Sequence, residues 1–166
     1  DSIMRLFSTM LFACILLVAC PVLAQETGGS AADAHMEILK EKLKADKKLL
    51  VASNMELTDA ENKGFWPLYE GYQKELGQVN ERLGKTITAY AEAYNQGKGS
   101  ISNDTAKKLL DEAISVEEQE VQLKRNYAEK VGKVLPAAKT ARYIQIENKI
   151  RALIKFELAQ QIPLVY

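Results

Sequence analysis

His35 is the only histidine in the 166 residues, and its isolation sets the first limit on the chemistry available. A Ser–His–Asp set needs a histidine base beside an oriented serine, and one imidazole near the amino end does not supply it. Cys–His chemistry fails as well, because both cysteines, Cys14 and Cys20, lie in the amino-terminal segment. A His–Met site can be drawn with Met36 or Met55. Zinc and nickel cages take several strong ligands, and a single histidine provides two only across a dimer. The expectation is an exposed or internally satisfied His35 and no metal.

Asp111, Glu112, Glu117, Glu118 and Glu120 crowd carboxylates into one stretch. Di-iron bundles need Glu-x-x-His pairs on two helices, and the chain has none, so these read as a solvated acidic face. "NQGKGSISND", residues 95–104, has the look of a phosphate loop without its G-x-x-x-x-G-K-[ST] spacing or a preceding apolar strand. It reads as a hairpin turn. Lys and Arg number 22, as do Asp and Glu. This balance gives no field aimed at nucleic acid, and no basic, aromatic-interleaved surface adds one. The chain is read as non-enzymatic, with no cofactor and no nucleic-acid partner.

The amino end reads as an address. Met4 is a plausible start, Arg5 a short positive region, and residues 6–19 an apolar run too short to span a bilayer comfortably. Residues 1–24 are then a signal peptide, cut between Ala24 and Gln25. A rival cut uses Leu17-Val18-Ala19-Cys20, which matches a lipobox and would lipidate Cys20; a third reading leaves the segment as an uncleaved anchor. The location expected is the periplasm, or the envelope surface by a lipid anchor, with membrane contact only if Cys20 is lipidated. Residues 25–32 form a small polar tether, and 33–166 a helical domain. An exported domain without thiols must be held by its core alone.

The elements expected are helices. The first covers about 33–53, with Met36, Leu39, Leu43 and Leu50 on one face and Lys40, Lys42, Lys44, Lys47 and Lys48 on the other. That lysine face is either solvated or a basic patch for anionic clients or a membrane surface. The second starts at Thr58, where Thr58 and Glu61 make a capping box, and runs to about Asn95. Its seam is Phe65, Tyr69, Tyr72, Leu76, Val79, Leu83, Thr86 and Tyr90, close to a 3.5-residue rhythm that packs on an antiparallel neighbour. Pro67 should kink it, with Gly64 relieving crowding at the bend. Phe65, Trp66 and Tyr69 then either fill the core there or form an apolar client or dimer surface.

The third helix, from Ser102–Asp104 to about Leu135, carries Leu109, Leu110, Ala113, Ile114, Val121, Tyr127, Val131 and Val134 as a broad apolar stripe. Pro136 stops it and can enter the first turn of a fourth helix, about 137–160. Ile146, Ile150, Leu153, Ile154 and Leu158 are expected inward there, and "QIPLVY" is expected to lie along the bundle. The fold class is all-α: four helices, a long antiparallel hairpin with flanking helices.

This helix order over residues 33–160 resembles the Spy/CpxP-like family of exported bacterial helical proteins, whose helices open on a repeated L-T-x-x-Q motif. Leu57-Thr58-Asp59-Ala60-Glu61 is similar to the first copy, with Glu for Gln. Leu135-Pro136-Ala137-Ala138-Lys139 is similar to the second, with Pro for Thr and Lys for Gln. "FWPLYEGYQ" and "ENKIRALIKFELAQQIPLV" look like a separate branch of similar exported proteins. The resemblance implies an ATP-independent chaperone forming curved dimers, an envelope-stress regulator, or a binder of zinc, nickel or cobalt. The leading expectation is a periplasmic protein that binds unfolded or envelope proteins on a concave apolar helical surface. Phe65, Trp66 and Tyr69 would be the contacts, and Lys40, Lys44 and Lys47 the capture charges. The alternatives are a regulatory or structural module with one specific partner, and a metal-sensing relative.

Overall fold

A computed structural model describes residues 44–165. The described chain is all-α, with four helices and no strand among the described residues. It divides at Glu56–Leu57 into two compact units. The first contributes helix α1, described over 44–55. Its end is marked by side chains turning back on the backbone. Ser53 Oγ and Asn54 Nδ2 both donate to the Leu50 carbonyl, at 3.0 and 2.8 Å, and Glu56 follows in the left-handed region at φ 51°.

The second unit holds α2 (Asp59–Gln96), α3 (Asn103–Gly132) and α4 (Ala137–Gln161). The capping box forms as expected: Glu61 N–H donates to Thr58 Oγ1 at 3.3 Å, and Thr58 N–H to Glu61 Oε2 at 2.8 Å. Gly97 ends α2, where a Cβ would collide with the Ser100 carbonyl, and Lys98 and Gly99 turn through positive φ. Residues 97–102 are therefore a hairpin turn, and Ser102 caps α3 through Thr105 N–H.

Partners across the hairpin rise in number on α2 as they fall on α3: Gly64 lies against Val134, Gly71 against Tyr127, and Arg82 bonds Glu112. The two helices are antiparallel. The glycines and their partners are each seven residues apart, the repeat of knobs-into-holes packing. Gly64 serves this close approach, since a Cβ there would sit 3.1 Å from Val134 Cβ. That role differs from the expected relief of crowding at Pro67. Pro67 itself removes the N–H that would bond the preceding turn, yet α2 runs on through it to Gln96.

The α2 seam is close to the expected one: Phe65, Tyr69, Tyr72, Leu76, Val79 and Thr86 are buried, while Leu83 and Tyr90 are half-buried. The α3 stripe is narrower than expected. Val116, Glu120, Leu123, Tyr127 and Val131 are buried, whereas Leu110, Ile114, Val121 and Val134 are exposed. The inward face of α4 is not the expected aliphatic one either. Its buried residues are Tyr143, Glu147 and Arg151; Ile146, Ile150, Leu153 and Leu158 are half-buried and Ile154 exposed. Beyond α4, Tyr90 Oη donates to the Pro163 carbonyl at 2.6 Å. This fastens the tail to α2 while leaving Leu164 and Val165 exposed.

Candidate functional site

Two features of the second unit stand out from an ordinary bundle: an aromatic cluster on α2 closed by one ring of α4, and the polar ladder that carries that ring. The cluster begins with Phe65, whose ring meets Trp66 and Tyr143 edge-on, each at 5.0 Å between centroids. Trp66 lies 5.3 Å from Tyr69. Tyr143 also reaches Tyr69 at 6.2 Å and Tyr72 at 6.1 Å, and Tyr72 continues to Tyr127 at 5.4 Å. Such edge-to-face pairs add to the stabilisation from area burial alone. The polar tips are satisfied: Trp66 Nε1 donates to Asn62 Oδ1 at 2.8 Å, and Tyr127 Oη to Glu75 Oε1 at 2.7 Å. Burial pushes the hydroxyls of Tyr69, Tyr72 and Tyr143 well above the usual phenol range, with the Glu147 carboxylate adding to the shift in each. Tyr127 is pushed up to about 12, first by burial and then by its bond to Glu75.

The ladder is a four-residue repeat along α4: Lys139, Tyr143, Glu147, Arg151 and Lys155. Residues four apart share one face of a helix, and every member of this set reaches another helix. Lys139 Nζ meets Glu61 Oε2 at 2.6 Å. Glu147 Oε1 accepts from Gln73 Nε2 at 2.8 Å. Arg151 donates through Nε and Nη2 to Glu120 Oε2, at 2.8 and 2.6 Å, and through Nη1 to Asn80 Oδ1 at 2.8 Å. Lys155 Nζ meets Glu117 Oε1 at 3.1 Å. Lys124 lies 3.8 Å from the other Glu120 oxygen. No buried side-chain nitrogen or oxygen among the described residues lacks a partner. The ladder therefore holds charge in the bundle without an orphaned group.

A third feature faces water. Leu110, Ile114 and Val121 recur at four and seven residues on α3 and are 59%, 47% and 56% exposed. Glu117, Glu118, Gln122 and Arg125 line a shallow open groove with Ile114 and Val121.

The expected site residues fall in different places. Phe65 and Tyr69 are buried and Trp66 is half-buried. As they stand, the first two hold the bundle together and present no surface, because Tyr143 covers them. Lys44 is exposed and Lys47 half-buried, both on α1 in the other unit. Lys40, His35, the Ala24–Gln25 cut and Cys20 lie outside the described residues. Among the described residues no group of three or more His, Cys, Asp or Glu is placed to hold a metal ion, and no helix is long and apolar enough to cross a membrane. The aliphatic stripe of α3 and the ladder of α4 escape apolar periodicity for opposite reasons: the first looks like core and is exposed, while the second carries the buried Glu147 and Arg151 at positions that do not look apolar. Comparison of the chain with protein-family models, with curated proteins and with solved structures finds no match in any of the three.

Proposed function

We propose that the chain is an exported, non-catalytic protein of the Spy/CpxP-like kind that holds unfolded or envelope proteins by their apolar segments, without ATP or any cofactor. The observation that carries this reading is the exposed aliphatic stripe Leu110–Ile114–Val121, bordered by charges of both signs on the same helix. Exposed apolar surface rimmed by polar residues is what a protein-binding face requires. Charge at the rim captures a client and speeds encounter without fixing it tightly. In this reading Glu117, Glu118 and Arg125 form that rim, Lys40, Lys44 and Lys47 are further capture charges in the amino-terminal unit, and Trp66, half-buried beside Phe65 and Tyr69, is a separate apolar contact. The site of action is the periplasm after the cut at Ala24–Gln25, or the membrane surface if Cys20 is lipidated. A homodimer through the same stripe belongs to this reading as a resting state that clients displace.

The test is light scattering of an unrelated, chemically denatured protein diluted into buffer with the chain present. Near-stoichiometric suppression of scattering, weakened in a folded Ile114→Lys/Val121→Lys variant, supports the reading. Absence of suppression at several-fold excess leaves the module with one specific envelope partner as the better account.

A further inference from the structure

We propose that α4 is a releasable strap, and that its release uncovers the aromatic face of α2 formed by Phe65, Tyr69 and Tyr72 as a second apolar surface for an unfolded chain. The client half of this inference rests on the function proposed above; the strap itself does not.

The hairpin and the strap are joined by different kinds of contact. The α2–α3 hairpin buries Leu76, Val79, Val116, Leu123 and Val131, and separating those helices would expose all of that surface to water. Helix α4 makes cross-helix bonds through Lys139, Glu147, Arg151 and Lys155, which with Tyr143 recur at four-residue steps, while its Ile146, Ile150 and Leu153 are only half-buried. Three of its residues are buried, and only Tyr143 among them is apolar in body. Ion pairs and amide bonds exchange with water at small net cost. Even the buried Arg151–Glu120 pair regains hydration on separation, which offsets the attraction lost. α4 should therefore part from the hairpin before the hairpin parts from itself, by the local opening that leaves the better-packed unit intact.

What α4 uncovers is specific. Tyr143 is the one ring of α4 in contact with Phe65, Tyr69 and Tyr72. When it lifts, these rings on α2 lose their cover, with Trp66 already half-exposed beside them. A row of aromatic side chains at three- and four-residue spacing along one helix suits an apolar segment lying lengthwise, as a helix or extended chain does in a groove. In the closed state the same rings are hidden from one another's copies, which limits self-association.

Backbone amide exchange followed by mass spectrometry, on the full chain without client, tests the strap. The expected result is exchange at least tenfold faster in residues 137–161 than in 65–80 and 116–131. Equal rates in all three, rising together, would overturn the inference, because α4 would then open only with the whole unit. The client role is tested with Tyr90→Cys/Pro163→Cys in a Cys14→Ser/Cys20→Ser background, joined by a short bis-maleimide across this contact just beyond α4, neither member of which lines the α3 groove. A mono-maleimide-treated sample is the control. The join should slow exchange in 137–161 and cut suppression of client aggregation several-fold relative to the control. Slowed exchange with unchanged suppression would overturn the aromatic face as a client surface while leaving the α3 stripe standing. Lack of suppression in the control counts against the proposed function, and the strap is then decided by exchange alone.

Discussion

Arg151 of α4 places two donors on a single oxygen of Glu120 in α3, through Nε at 2.8 Å and Nη2 at 2.6 Å, with the two side chains 10% and 6% exposed. The pair sits where an aliphatic contact would be expected in a three-helix unit. Removing one member leaves the other charged and desolvated. Arg151→Leu should therefore cost about 3–5 kcal/mol in urea unfolding, and it also strips Asn80 of its donor. The double variant Glu120→Leu/Arg151→Leu should recover most of that loss. A double variant no more stable than Arg151→Leu alone would show that the pair contributes more than satisfaction of its own charges.

The four glycines of α2, Gly64, Gly71, Gly77 and Gly84, are not equivalent. A Cβ at Gly77 or Gly84 meets nothing within 4 Å, so alanine at either should stabilise by about 0.5–1 kcal/mol through helix propensity and a less flexible unfolded chain. At Gly71 a Cβ would lie 2.7 Å from Tyr127 Oη, a buried hydroxyl already bonded to Glu75. Gly71→Ala should lower the melting temperature where Gly77→Ala and Gly84→Ala raise it. Melting curves of the three variants decide this, and a rise for all three would refute the close packing at Tyr127.

Stability should fall on the alkaline side in a way that reports the aromatic cluster. Tyr69, Tyr72, Tyr127 and Tyr143 all have hydroxyl pKa values raised in the fold, mainly by burial. A raised value means that the folded chain keeps protons which the unfolded chain loses. The stabilisation is complete below the ordinary phenol value of 10.0 and is lost as pH climbs toward the folded values. Absorbance at 295 nm should then show these tyrosines ionising late and together with loss of helix. Their titration near pH 10 with helix intact would contradict the packing.

On the acid side the informative group is Glu61. Its carboxyl is held below the usual 4.5, first by the hydrogen bond from Lys139 and then by the Thr58 N–H. A lowered value favours the fold above 4.5, and that contribution disappears as pH falls through 4.5 toward the folded value. Glu112, lowered by Arg82, loses its contribution over the same range. Lys139→Met should flatten the dependence of urea midpoint on pH below about 4.5. An unchanged slope would mean that the contact between the first turns of α2 and α4 does not persist in solution.

Much of this architecture is legible in local signals. Thr58 and Glu61 announce the start of α2 because a capping box is completed within four residues. The α2 seam is readable because its buried positions are nearly all aromatic or aliphatic. The turn after Gln96 follows from glycines at the positions that need them. The face of α4 is different. Its aliphatic residues Ile146, Ile150, Leu153 and Ile154 share one face at helical spacing yet none is fully buried, while the buried positions carry Tyr143, Glu147 and Arg151, flanked by Lys139 and the exposed Lys155. Apolar periodicity cannot find such a face, since its members are chosen by Glu61, Gln73, Glu120 and Glu117 on other helices. The four-residue repeat was the available signal, but its meaning depends on tertiary partners. Phe65 and Tyr69 pose the converse problem: a row of aromatics reads equally as core or as contact surface until Tyr143 is placed over it.

The most direct measurement is binding of a permanently unfolded protein. A reduced, carboxymethylated client carrying a fluorophore is titrated with the chain, and anisotropy is read with and without ATP. Capture of apolar segments predicts saturable binding, identical in the two conditions and weakened several-fold by Ile114→Lys/Val121→Lys. A flat anisotropy trace at large excess of folded chain would contradict it.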